Sequence, residues 1–257
     1  MNMKNGVGVP QNIVLFGGTS EIGQAIVSRL VRPGVANVSL VCRDVDGASG
    51  FAESLGDRSE DLAVSIVRFD GADHTATRSI VEEVCSDGRD IDVAVIAQGL
   101  LGEGTDYYSA PERVSDIMSV NATATMSLLY SLADRMRRQG YGRIVLLSSV
   151  AGVRVRKGNP VYGASKAAVD SFALALDHEL EGSGVSVLVV RPGFVESKMT
   201  FGMKKAPFST TPGAVADVVV RAVSANDTVV YAPGILRYVF GIFRLLPQAV
   251  WRRLPLS

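Results

Sequence analysis

Seven short apolar runs rich in valine, isoleucine and leucine recur along the 257-residue chain, at 12–16, 38–41, 63–69, 92–97, 143–147, 185–190 and 228–231. They lack the polar alternation of a strand with one wet face, and so suit parallel strands covered on both sides. Between them, helical periodicity at 22–31, 74–85, 112–139 and 161–181 gives segments long enough for crossover connections. Alternation of this kind predicts a single α/β domain built on a doubly wound parallel sheet of about seven strands. No proline- or serine-rich linker divides residues 1–234. The stretch 200–212, with Gly202, Pro207 and Pro212, breaks the pattern and reads as a mobile excursion over a site. Residues 235–257 read as a basic, apolar, amphipathic C-terminal extension.

Composition excludes several other classes. A hydrophobic share of 47% against 20% charged residues sustains a core and rules out disorder. With 26 basic and 26 acidic side chains the formal charge is zero, without the basic field a nucleic-acid binder needs. The balance is uneven along the chain. From Lys198 onward there are eight basic residues and two acidic ones, so an acidic excess falls on the earlier part. Cys42 and Cys85 form no CxxC pair, and a reduced, cytoplasmic setting is expected. His74 and His178 lack metal-ligand companions, so no metal is expected. No apolar core precedes Pro10 and no apolar run reaches spanning length, so neither a secretory leader nor a membrane-spanning helix is expected.

The first run leads directly into Gly17-Gly18-Thr19-Ser20-Glu21-Ile22-Gly23 and then a helical pattern. Glycines there permit a tight turn and close approach of the backbone to a pyrophosphate, whose charge the helix N-terminus meets. An ordinary turn is the plain alternative, but it rarely needs both Gly17 and Gly23. Asp70-Gly71 follows the third run, where a carboxylate can accept from an adenine amino group or cap the next helix. Ala97-Gln98-Gly99 ends the fourth run with small residues beside a ribose. After the second run, Arg43 suits a 2′-phosphate, whereas Asp44, Glu21 and the absence of a basic residue in the glycine turn suit a free 2′-hydroxyl. The balance favours NAD(H), with NADP(H) as the alternative.

Tyr162-Gly163-Ala164-Ser165-Lys166 opens a helix and carries the clearest chemistry. Four residues apart, Tyr162 and Lys166 share a face, and an ammonium near a phenol lowers its pKa towards working pH. That pair suits proton exchange with a carbonyl or alcohol oxygen. Ser149, after the fifth run, can orient that oxygen. Asn121 is mildly unfavourable within a helical pattern and could hold a relay water. Taken singly, each residue has a structural explanation. Taken together, those explanations would have to coincide.

The glycine turn, Asn121, Ser149, Tyr162-x-x-x-Lys166 and Arg191-Pro192-Gly193 resemble the short-chain dehydrogenase/reductase family over nearly the whole chain. The resemblance implies a Rossmann-type fold, a nicotinamide cofactor and a catalytic tetrad. In it Tyr162 is the acid/base, Lys166 lowers its pKa and holds the nicotinamide ribose, Ser149 aligns the carbonyl and Asn121 anchors the water relay. It also puts Pro192 and Gly193 beside the nicotinamide, with Val195 and Ser197 near its carboxamide. The chain departs from the family where Phe16 replaces a threonine, Glu21 the central glycine, and Ile96-Ala97-Gln98-Gly99 the usual Asn-Asn-Ala-Gly.

Four segments narrow the resemblance: 17–23, Gly99-Leu100-Leu101-Gly102, Arg154-Val155-Arg156-Lys157, and the ending from Arg237-Tyr238-Val239 to Arg252-Arg253-Leu254-Pro255. They are similar to a subgroup that reduces a polyprenyl-phosphate keto-sugar after a flavin-dependent oxidase has formed the ketone, an epimerisation that serves cell-wall arabinan. This implies a polyprenyl-phosphate sugar substrate gripped by Arg154, Arg156 and Lys157, with Lys204 and Lys205 as further candidates. A solvated loop is the alternative for these residues. Residues 235–254, apolar with four arginines and no acid, suit a helix lying at the inner face of the plasma membrane, cut by Pro247. Packing on the body or on a second subunit is the alternative, and an oligomer is left open. Reduction of an acyl-carrier-linked or sterol ketone, or non-catalytic dinucleotide sensing, are the rival functions.

Overall fold

The computed structural model describes residues 9–102, 104–251 and 253. Arg252, Leu254 and Pro255, which enter the narrower resemblance, lie outside the described residues. The chain opens with β1 (Asn12–Phe16), α1 (Glu21–Leu30), β2 (Asn37–Cys42), α2 (Asp46–Gly56), β3 (Ala63–Arg68), α3 (Thr77–Glu83) and β4 (Val93–Ile96). The helices α4 (Arg113–Met118) and α5 (Thr125–Gln139) follow, then β5 (Gly142–Leu147), α6 (Val150–Val153), α7 (Pro160–Glu179) and β6 (Val185–Pro192). The chain continues through α8 (Pro212–Ala225), β7 (Val229–Ala232), α9 (Leu236–Leu245) and α10 (Gln248–Trp251).

All seven strands are parallel, in the order β3-β2-β1-β4-β5-β6-β7. The chain winds outward from β1 to β3, then returns to lay β4 on the other side of β1. A crevice therefore opens at the carboxyl ends of β1 and β4, where ligands of such sheets bind. Side chains alternate across β1. Ile13 and Leu15 enter the core layer packed by α1 and α8, and Val14 and Phe16 enter the layer packed by α5 and α7. The expected runs thus lie within a residue or two of the strands, with β3 as the partly exposed edge.

Three helical readings need correction. Residues 112–139 are not one α-helix: a π-helical segment, Ser119–Ala124, separates α4 from α5. The helix α2 escaped notice because Gly47, Gly50 and Gly56 dilute its periodicity. Pro212 does not end the excursion as a breaker. It starts α8, where Thr211 caps the helix by accepting from Ala214 N at 3.3 Å and proline's missing N–H costs nothing.

The C-terminal extension folds back on the body. Leu236 and Phe240 are buried with Val150. Pro247 separates α9 from α10, as expected. Arg154 donates to Leu246 O and Gln248 Oε1, both at 3.1 Å, and its guanidinium lies 5.1 Å from the centre of the Trp251 ring. Trp251 Nε1 donates to Val155 O at 3.3 Å. No described helix is long and apolar enough to cross a membrane.

Candidate active site

The crevice is built on backbone contacts that side chains would block. Gly17, at φ +90°, donates to Val41 O, and a Cβ on it would lie 2.7 Å from Gln98 N. Ser20 caps α1 by accepting from Gly23 N at 3.3 Å. Gly17, Thr19, Ser20, Glu21, Ile22, Arg43, Asp70, Gly71, Ala97, Gln98, Gly99 and Ser197 all line this one cleft. Gly23 does not. A Cβ there would meet Leu15 Cδ1 at 2.7 Å and Ala97 Cβ at 2.9 Å, so its part is to press α1 onto the sheet.

Two acids expected to influence the nucleotide are already engaged. Asp44 Oδ1 accepts from Gly47 N at 2.9 Å, and the Glu21 carboxylate accepts from the backbone N–H of Lys198. Arg43 has no hydrogen bond or ion pair among the described residues. Asp70 Oδ1 accepts from Ala72 N at 3.0 Å, which spends one oxygen on its own turn. The barred approach at Gly17, the capped N-terminus of α1 and the unpaired Arg43 together fit a dinucleotide phosphate chain. Val41, Phe69 and Val120 also line the cleft, and no motif marked them as site residues.

The start of α7 sets the reacting groups. Asn159 caps it by accepting from Tyr162 N at 3.2 Å, Pro160 fills its first turn, and Asn159 Nδ2 donates to Leu101 O at 3.0 Å. Lys166 is buried, with Nζ donating to Leu147 O at 2.9 Å and lying 5.9 Å from the centre of the Tyr162 ring. Ser149 caps α6, its Oγ accepting from Ala151 N at 3.1 Å. Burial pushes the phenol's pKa up, against a smaller lowering by Ser149. Whatever lowering Lys166 contributes does not outweigh that burial, which bears on both groups. Lys166 itself is pushed down to about 8 by burial, opposed by Asp170.

Asn121 lies in the π-helical segment and is buried. Its Oδ1 accepts from Leu100 N at 2.7 Å, and its Nδ2 donates to Leu100 O at 2.8 Å and Ser165 Oγ at 3.0 Å. The side chain thus clamps the loop after β4 to α7, with a second lone pair on Oδ1 left over. Beneath Lys166 lies a buried network that the sequence reading missed. Asp170 pairs through both oxygens with Arg191, at 2.6 and 2.9 Å, and accepts from Ser148 Oγ at 2.7 Å. Arg191 also donates to Tyr231 OH at 2.8 Å. A signal was present: Asp170 stands one helical turn beyond Lys166, and an acid on a buried face needs a partner.

A cavity of about 370 Å³ opens beside Ser149, Tyr162 and Lys166. Pro192, Gly193 and Val195 form one wall, with Met199, Met203, Phe208, Phe240, Phe243 and Trp251 further out. Gly193 has no room for a side chain, since a Cβ would lie 2.6 Å from Leu236 Cδ1. The excursion and the C-terminal extension thus both wall the cavity. Of the basic trio only Arg156 lines it. Arg154 is taken up by the C-terminal segment, and Lys157 is exposed elsewhere. Lys205 pairs with Glu196 at 2.7 Å, while Lys204 is exposed. Ile22, Ala97, Gln98, Gly99, Ser197 and Met199 line both the cavity and the dinucleotide cleft.

Comparison with known proteins agrees with this geometry. The model of the short chain dehydrogenase family matches residues 11–207. An uncharacterized oxidoreductase of Mycobacterium tuberculosis is 40% identical over 243 residues, covering 95% of this chain and 96% of its own. The 3-oxoacyl-[acyl-carrier-protein] reductase of Haemophilus influenzae is 29% identical over 187 residues, 73% of this chain and 75% of its own. A short-chain dehydrogenase from Sphingobium yanoikuyae, solved in complex with NADPH, is similar with a TM-score of 0.77 and 25% identity, covering 93% of this chain and 97% of its own.

Proposed function

The chain belongs to the short-chain dehydrogenase family and is an oxidoreductase; on that premise we propose that it reduces a ketone borne on a long apolar, anionic molecule, using NADP(H). The observation that carries this reading is the apolar cavity whose inner end holds Ser149, Tyr162 and Lys166 and whose rim holds Arg156. When bound, a dihydronicotinamide supplies the hydride. The chain's own residues do the rest. Ser149 holds the ketone oxygen, and Tyr162, kept protonated by burial, donates its proton to that oxygen as the alcohol forms. Lys166 then stabilises the phenolate left behind. Asn121 and the Asp170–Arg191 pair position these groups.

NADP(H) replaces the expected NAD(H) for a physical reason. Asp44 and Glu21, the acids that argued for a free 2′-hydroxyl, each have one oxygen bonded to a backbone amide, and Arg43 lines the cleft with no ion pair among the described residues. The NADPH complex of the Sphingobium relative supports the same choice.

Among anionic ketones, decaprenylphosphoryl-2-keto-β-D-erythro-pentofuranose fits the cavity's apolar walls and basic rim. Hydride delivery at C2 would give decaprenylphosphoryl-β-D-arabinofuranose for cell-wall arabinan, with a flavin-dependent decaprenylphosphoryl-ribose oxidase as the source of the ketone. A second reading, a 3-oxoacyl thioester, is favoured by the likeness to the Haemophilus reductase. Turnover of each ketone with NADPH and with NADH, with the product's configuration at C2 determined, tests both. The proposal expects the lipid keto-sugar and NADPH to be preferred, and Arg43→Glu to weaken NADPH about ten-fold or more while sparing NADH. Preference for the thioester would select the second reading. Preference for NADH would return the cofactor assignment to NAD(H).

A further inference from the structure

The helix α9 has two apolar faces where packing needs one. Leu236 and Phe240 turn inward, and Val239 and Phe243 face the cavity. On the far side Ile235, Tyr238, Ile242 and Leu245 form a stripe at helical spacing and are 47%, 69%, 63% and 83% exposed. Arg237 and Arg244 occupy the sector between the two faces and are exposed, as is Arg253. No acidic residue occurs after Asp227. The excursion repeats this composition, with Phe201 91% exposed beside exposed Lys198 and Lys204. Scattered surface apolar residues are ordinary, but two such elements, both basic and both bordering one apolar cavity, are not scatter.

We infer that the outer stripe of α9, with Phe201, seats on the surface of an anionic lipid bilayer, so that the cavity opens towards the lipid. Apolar side chains would enter the acyl boundary while the arginines reach lipid phosphates at its edge. Charge decides between this occupant and a second copy. A two-fold contact through α9 would set Arg237, Arg244 and Arg253 near their own duplicates, with no acid in 228–257 to meet them. An anionic leaflet supplies the missing negative charge.

The inference does not rest on the reductase reading. Its test is co-sedimentation of the full chain with vesicles of phosphatidylcholine alone and of phosphatidylcholine mixed with phosphatidylglycerol. Retention is expected on the mixed vesicles only, weakening with added salt. Ile242→Asp with Leu245→Asp should lower the partition about ten-fold or more. Arg237→Ala and Arg244→Ala, which leave the inward face untouched, should lower it about five-fold each. Unchanged thermal unfolding and unchanged reduction of a small water-soluble ketone would show the variants intact. Absence of retention, equal retention on both vesicles, or insensitivity to the arginine changes would overturn the inference. So would an oligomer in solution that Ile242→Asp with Leu245→Asp dissolves without changing vesicle retention, since that assigns the face to a second copy.

Discussion

The inner half of the active site and its outer walls are held by different physics. Around the crevice and α7, polar groups are buried and answered. Asn121 is clamped on Leu100, Asp170 on Arg191 and Ser148, and Lys166 on Leu147 O. A displacement of any one leaves a buried polar atom without a partner, which costs more than the bond itself. The outer walls, from Met199 to Phe208 and along α9, are apolar surfaces tied to the body by a few contacts, with Arg154 the chief strap. Chemistry demands fixed atoms. Accommodation of a chain demands only a shaped, dry surface, so the outer half tolerates change that the inner half does not.

Four substitutions probe that contrast, in falling order of effect. Tyr162→Phe removes the proton donor and should lower kcat for ketone reduction by about 10²–10⁴-fold while leaving NADPH affinity near its starting value. Retention of turnover under steady-state assay would break the assignment of the inner half. Asp170→Asn should act through charge rather than contact with substrate. Lys166 loses its proton as pH rises through about 8, and Asp170 is the group holding that value up. The alkaline fall in kcat/KM is therefore expected near pH 8 in the native chain and at lower pH in the variant, with about a ten-fold loss at the native optimum. A profile that only drops in height, with its limb unmoved, would reduce Asp170 to a packing role. Arg154→Ala and Arg156→Ala should separate wall from rim. The first, by releasing the C-terminal segment, should raise KM for any long-chain ketone by up to about ten-fold. The second should raise it by a similar factor only where the substrate is anionic. Equal behaviour of the two variants with neutral and anionic ketones would erase the distinction.

Legibility in the sequence followed the same division. Unbroken apolar runs reported buried parallel strands because both faces of the sheet are covered, and their alternation with helical segments reported the double winding. The Gly17 turn and the Tyr162–Lys166 spacing were readable because each is local, a few residues whose geometry is set by one turn of backbone. Asn121's clamp was not readable because its partner, Leu100, is distant in the chain and only the fold brings them together. The same holds for Arg154, whose neighbours in sequence suggested a phosphate grip while Leu246 and Trp251 had already claimed it. The engagement of Asp44 and Glu21 was hidden for a related reason. A carboxylate near a ribose site argues for NAD through its free oxygens, and the hydrogen bonds that commit one oxygen of each acid to Gly47 and Lys198 are invisible in a string of letters.

Ile22, Ala97, Gln98, Gly99, Ser197 and Met199 border the dinucleotide cleft and the apolar cavity alike. The two spaces are thus successive rooms with a common partition rather than separate chambers. Whatever occupies the cleft becomes part of the boundary against which the second guest is fitted. Filling them in the reverse sequence would leave that guest facing a gap. In kinetic language, such a partition would favour entry of the nucleotide ahead of the second guest.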